Sequence, residues 1–129
     1  MTQEYNELLL IDICARLPYK VKISIPELAT NKEQVETLNK IFKGKDDLYR
    51  VNDSGILIEY IKPYLFPLLS MTEKQKMFLK QQNWCIAIST SGTFETTIEG
   101  IDWLNKNHFD YHNLINKNLA IDCTNLNIY

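Results

Sequence analysis

The sequence predicts an α+β fold: a small antiparallel sheet packed against three to five helices. Three observations carry this. Tyr19 to Pro26 alternates apolar and polar side chains with the period of a half-buried strand. Glu4 to Leu17 repeats its apolar residues at helical spacing. Helix and strand signals then follow each other irregularly, without the regular strand–helix alternation that builds a parallel sheet. The 129 residues fit one domain, long enough to hide roughly two thirds of the surface its unfolded form exposes.

The elements follow in order. Leu9, Ile13 and Leu17 recur every four residues in the first segment, with Leu10 and Cys14 widening the stripe. Pro18 lacks an amide hydrogen and disfavours helix at Leu17, so the helix stops there. In the strand that follows, Tyr19, Val21, Ile23 and Ile25 share one face, and Pro26 ends it or marks a sheet edge.

Residues 31–43 read either way. Val35, Leu38, Ile41 and Phe42 have helical spacing, yet turn signals follow closely at Gly44 to Asp47 and at Asn52 to Gly55. The closeness of the turns favours strands near 35–42 and 47–51. Pro63 and Pro67 bracket Tyr64-Leu65-Phe66, which predicts a short turn of helix pinned on the core. Thr72 and Gln75 stand at capping-box spacing and predict a helix from Glu73 to about Gln82, with Met77 and Phe78 facing inward.

Trp84 to Thr90 reads as a strand, and Ser89 to Thr93 as a polar loop. Phe94 to Ile98 reads as a strand or as the lead into a helix. Gly100 to Asn107 reads as helix, with Ile101 and Leu104 inward and Asn107 left-handed at its end. Asp110 is placed to cap a second short helix over Tyr111 to Lys117, with Asn118 ending it and Leu119 to Asp122 as a closing strand.

The net charge is −2, from 14 basic and 16 acidic residues, and no segment has the basic excess of a duplex-binding surface. That argues against a nucleic-acid partner. The densest basic run, Lys40 to Lys45, leads straight into Asp46-Asp47 and reads as a solvated hairpin tip. Cys14, Cys85 and Cys123 are too widely spaced for a metal cluster or a disulfide scaffold and point to a reducing compartment, with Cys14 as a buried free thiol. The acidic, polar start is no secretory signal, and Asp12 and Arg16 break the first apolar run, so the expectation is a cytoplasmic protein without a membrane span.

No chemical motif stands complete. His108 and His112 have H-x-x-x-H spacing, but Asp110 is expected to start a new helix between them, and the Glu of the zinc-protease signature is absent. No metal or cofactor is expected. A thiol enzyme would need Cys85 or Cys123 beside His108, oriented by Asp102 or Asp122. Asp46-Asp47 falls in a turn, where Asp serves the backbone. The aromatic residues form two groups, Tyr60, Tyr64, Phe66 and Trp103, Phe109, Tyr111. Most are expected in the core, and Tyr64, Trp103, His108 and Tyr111 are the candidates for a protein-binding surface.

Four segments carry a resemblance: Cys14-Ala15-Arg16-Leu17-Pro18-Tyr19, Ile61 to Leu68, Ser70-Met71-Thr72-Glu73, and Ile101 to Tyr111. In this order they resemble a family of short uncharacterised proteins from gut bacteria and their phages or other mobile elements. Ala29 to Asp53 departs most from that pattern, and Asn118 stands where it resembles glycine. The resemblance brings no catalytic residue, cofactor or substrate. It implies an accessory role, so the leading expectation is a non-enzymatic module that binds a protein partner. A small Cys/His enzyme and a nucleic-acid-binding protein are the alternatives.

Overall fold

The computed structural model describes residues 2–27, 32–84, 87–88 and 94–129, and they have mixed α+β content. The first helix, α1, spans Gln3–Arg16, with the Thr2 hydroxyl accepting from the Tyr5 amide at its start. Pro18 lies in a 3-10 turn, Leu17–Tyr19, as its missing amide requires. The buried stripe of α1 is Leu9, Asp12, Ile13 and Arg16, all fully buried. This i, i+3, i+4, i+7 stripe leaves Cys14 exposed, which corrects the expected buried thiol.

The strand after α1, β1 (Lys22–Glu27), pairs antiparallel with β2 (Lys32–Thr37) and with β6 (Lys62–Pro67). Val21, Ile23 and Ile25 are buried, as the alternation predicts. Pro26 lies within β1 rather than ending it. It is past the short pairing with β6, so its missing amide costs no bond there.

The expected strand at 35–42 is broken. After β2 the chain leaves the first sheet and enters a separate meander of β3 (Ile41–Lys43), β4 (Tyr49–Val51) and β5 (Ile56–Leu57). The break is held by Asn52, which is buried. Its Oδ1 accepts from the Asn39 amide at 2.9 Å and its Nδ2 donates to the Thr37 carbonyl at 3.1 Å. The Lys40 to Asp47 run is a hairpin tip, where Asp46 takes the Leu48 amide and the Arg50 guanidinium.

The segment between the two prolines is a strand, not the expected turn of helix. Burial explains it: Ile61, Tyr64 and Leu65 are buried between neighbours on both sides of β6, and the fixed φ of proline suits extended backbone. Pro63 and Pro67 stand near the two ends of the strand, where a lost ladder bond matters least.

The sheet is mixed rather than antiparallel. β6 also pairs parallel with β9 (Phe109–Asp110) and with β10 (Ile121–Asp122). A parallel pair needs a long crossover. Here the crossover holds α2 (Glu73–Gln81), the two-stranded ribbon β7 (Ala87–Ile88) and β8 (Phe94–Glu95), and α3 (Ile98–Lys106). The described residues thus hold three α-helices, the floor of the expected range.

Both crossover helices are locally encoded. Thr72 and Gln75 close the capping box reciprocally, at 3.1 and 2.9 Å. The Thr97 hydroxyl caps α3 through the Gly100 amide, so Phe94 to Ile98 is both strand and helix entry. The inner residue of α2 is Leu79; Met77 and Phe78 are exposed, against expectation. Ile101 is likewise more exposed than expected, while Leu104 is fully buried. The left-handed residue after α3 is His108, with φ 64°, not Asn107. Asp110 does cap, accepting from the Leu114 and Ile115 amides at 2.9 Å each, but residues 111–118 form turns rather than a helix. Left-handed Asn113 and Asn118 interrupt the run.

Two clusters of buried side chains result. One joins α1 to β1, β6 and the 114–120 segment through Leu9, Ile13, Ile23, Leu65 and Leu114. The other gathers Leu68, Met71, Leu79, Leu104, Phe109 and Tyr111 around α2 and α3. Among the described residues no helix is long and apolar enough to cross a membrane.

Candidate interaction cleft

The polar seam between the two clusters is built by α1. Asp12 accepts from Arg16 Nε at 2.7 Å and Nη2 at 3.1 Å, and both side chains are fully buried. Arg16 Nη2 also donates to the Phe109 carbonyl at 2.6 Å, and the guanidinium lies 5.0 Å from the Tyr111 ring centre. His112 Nδ1 meets the second Asp12 oxygen at 2.7 Å. Burial pushes the Asp12 carboxyl up, but the His112 hydrogen bond and the Arg16 charge outweigh it and hold it below the ordinary carboxylate range. Tyr111 is buried and donates to Asn105 Oδ1 at 2.7 Å. This network positions the 109–112 segment: both Asp12 oxygens accept from the guanidinium, and Oδ2 is shared with His112.

The two histidines face different partners, so their spacing does not converge. His108 stacks on Tyr129, with ring centres 3.8 Å apart, and its buried Nδ1 has no hydrogen-bond partner among the described residues. Burial first, then the Arg16 and Lys22 charges, push its pKa down to about 4. Tyr129 is anchored in turn: its hydroxyl donates to the Tyr64 carbonyl and accepts from the Lys22 amide, both at 2.8 Å.

Of the two thiol candidates, only Cys123 lies within the described residues. Cys123 is buried, and burial pushes its thiol up to about 11, away from the thiolate that attack requires. Asp122 accepts from the Thr124 amide and Asp102 from the Tyr19 hydroxyl, and among the described residues neither is hydrogen-bonded to an imidazole. Cys85 lies outside the described residues, as do most of the expected 84–90 strand and the expected 89–93 loop.

Of the four proposed surface residues, Tyr64 and Tyr111 are buried, at 4% and 8% exposure. Large rings are drawn to the core because their burial removes much apolar area from water. His108 and Trp103 are half-buried. Trp103 lines a cleft of about 340 Å³ together with Phe78, Trp84, Glu99, Asp102, Lys106 and Asn107. Phe78 packs edge-on against Trp84 at 5.9 Å and stacks on Trp103 at 6.3 Å. Trp103 is backed from the core by Phe109, 5.6 Å away and only 12° from parallel. The rings are therefore preorganised, since a partner need not order them.

The rim is polar because of α3. Glu99, Asp102, Trp103 and Lys106 fall at i, i+3, i+4 and i+7, which puts them on one helical face. Asn107 is fixed by its Nδ2 donating to the Trp103 carbonyl at 2.9 Å. Phe78 and Trp84 were not among the sequence candidates. Their signal was faint: one apolar residue too many on α2 and a tryptophan just past its end, with the pairing to α3 visible only in three dimensions. No family model, curated protein or solved structure matches the chain.

Proposed function

We propose that this protein is a small cytoplasmic accessory module that acts by binding another protein, not by catalysis, and that the Phe78–Trp84–Trp103 cleft is its contact site. The observation that carries the reading is the cleft itself: three packed aromatic rings, part exposed, inside a rim of Glu99, Asp102, Lys106 and Asn107. Such a centre of aromatic anchors within a polar ring is the anatomy of an interface hot spot. The resemblance of the Cys14–Tyr19, Ile61–Leu68 and Ile101–Tyr111 segments to proteins of gut bacteria and mobile elements supports an accessory role in that setting.

The Cys/His enzyme gains no support from a buried Cys123 thiol pushed up to about 11. A nucleic-acid partner gains none from a chain of net charge −2. Co-purification from the expressing cells, followed by mass spectrometry, tests the reading. A partner captured by the wild type and lost with Phe78→Ala, in a variant whose circular dichroism is unchanged, is the expected result. A protein that comes down alone at high yield, or a partner retained by that variant, counts against it.

A further inference from the structure

A second groove lies where α1 meets the β3–β4 hairpin, and it shares no residue with the tryptophan cleft. It also holds about 340 Å³. Its floor is apolar, from Leu10, Tyr49, Leu57 and Ile58, with Leu48 left 48% exposed beside it. Its charged lining is of one sign: Glu7, Asp47 and Glu59, with no lysine or arginine among the lining residues. The acids are little neutralised. Lys43 approaches Asp47 only at 3.6 Å with both side chains exposed, and Glu7 takes just a hydrogen bond from Gln3. Asn6 also lines the groove, with its Oδ1 buried and without a hydrogen bond among the described residues.

We propose that this groove receives a basic amphipathic segment of a partner protein, with its apolar side on Leu10, Leu48 and Leu57 and its lysines or arginines on Glu7, Asp47 and Glu59. The charge pattern selects the occupant. A groove that offers acceptors and carboxylates repels an acidic or phosphorylated segment and rewards a cationic one. The apolar floor adds what a purely ionic encounter lacks, a desolvated contact that slows dissociation.

The test uses the full chain and two model helices, one of leucine and lysine and one of leucine and glutamate, followed by backbone amide shifts. The leucine–lysine peptide is expected to give saturable shifts at Asn6, Leu10, Leu48 and Glu59, weaker at higher salt. The Glu7→Gln, Glu59→Gln double variant should raise its Kd by at least about tenfold. Equal binding of the leucine–glutamate peptide overturns the proposal. So does affinity unchanged in the double variant, or shifts confined to Trp84 and Trp103. Concentration-dependent dimerisation of the protein alone, abolished by Leu48→Ser, would assign the groove to a second copy and likewise overturn it.

Discussion

Replacing Asp12 by alanine strips the α1 seam of its anion. Among the described residues, Arg16 then keeps its charge at zero exposure with no partner on Nη1 and only the Phe109 carbonyl on Nη2. His112 loses its partner at the same time. Breaking a buried pair from one side costs about 3–5 kcal/mol, a large part of the ~5–15 kcal/mol that holds a domain of this size folded. The expected loss in Tm is roughly 10–20 °C. Guanidinium denaturation read by tryptophan fluorescence measures it, because Trp84 and Trp103 pack around the cluster that Arg16 reaches. Asp12→Leu combined with Arg16→Met removes both charges and keeps apolar volume, so it should cost less than the sum of the single changes by about 2 kcal/mol or more. A loss under about 1 kcal/mol for Asp12→Ala, or strict additivity in the cycle, refutes the reasoning.

Acid should weaken the fold in two stages. The unfolded His108 takes up a proton below its ordinary value of 6.5, while the folded ring resists until about 4, so stability falls across that window. The full shift would amount to roughly 3 kcal/mol, and solvent screening of a half-buried ring cuts this to about 1–2 kcal/mol. His108→Asn keeps the left-handed φ and should flatten this stage in a pH series of urea melts. Asp12 acts lower, because its depressed pKa stabilises the fold until pH drops through the folded value. Thr72→Ala opens the capping box and should cost about 1 kcal/mol in the same melts. Cys14 should alkylate in the native protein while Cys123 stays protected until unfolding, as peptide mapping after iodoacetamide reads directly.

Local chemistry was legible in the sequence where one residue decides. Pro18 stops α1, Thr72 with Gln75 starts α2, Asp110 binds the amides of the next turn, and Asn118 turns left-handed. Periodicity located Val21, Ile23 and Ile25 in the core. What failed depended on distant contacts. The Pro63–Pro67 segment became a central strand because neighbours on both sides supply its pairing, which no local pattern reveals. Parallel pairing of β9 and β10 follows from the course of the crossover, not from their own two-residue patterns. Asp12 and Arg16 read as breaks in an apolar run, yet they sit on the buried stripe because they neutralise each other one turn apart. Trp103 was visible as a candidate, but its cleft needed Phe78 from α2 and Trp84 from just past the end of that helix.

The contact role of the aromatic cleft is tested most directly by acrylamide quenching of tryptophan fluorescence, since both tryptophans of the chain line it. The quenching constant of the protein alone should fall several-fold in the purified complex with its captured partner. An unchanged constant in a complex shown intact would mean that the partner docks elsewhere, and the cleft would lose its assigned role.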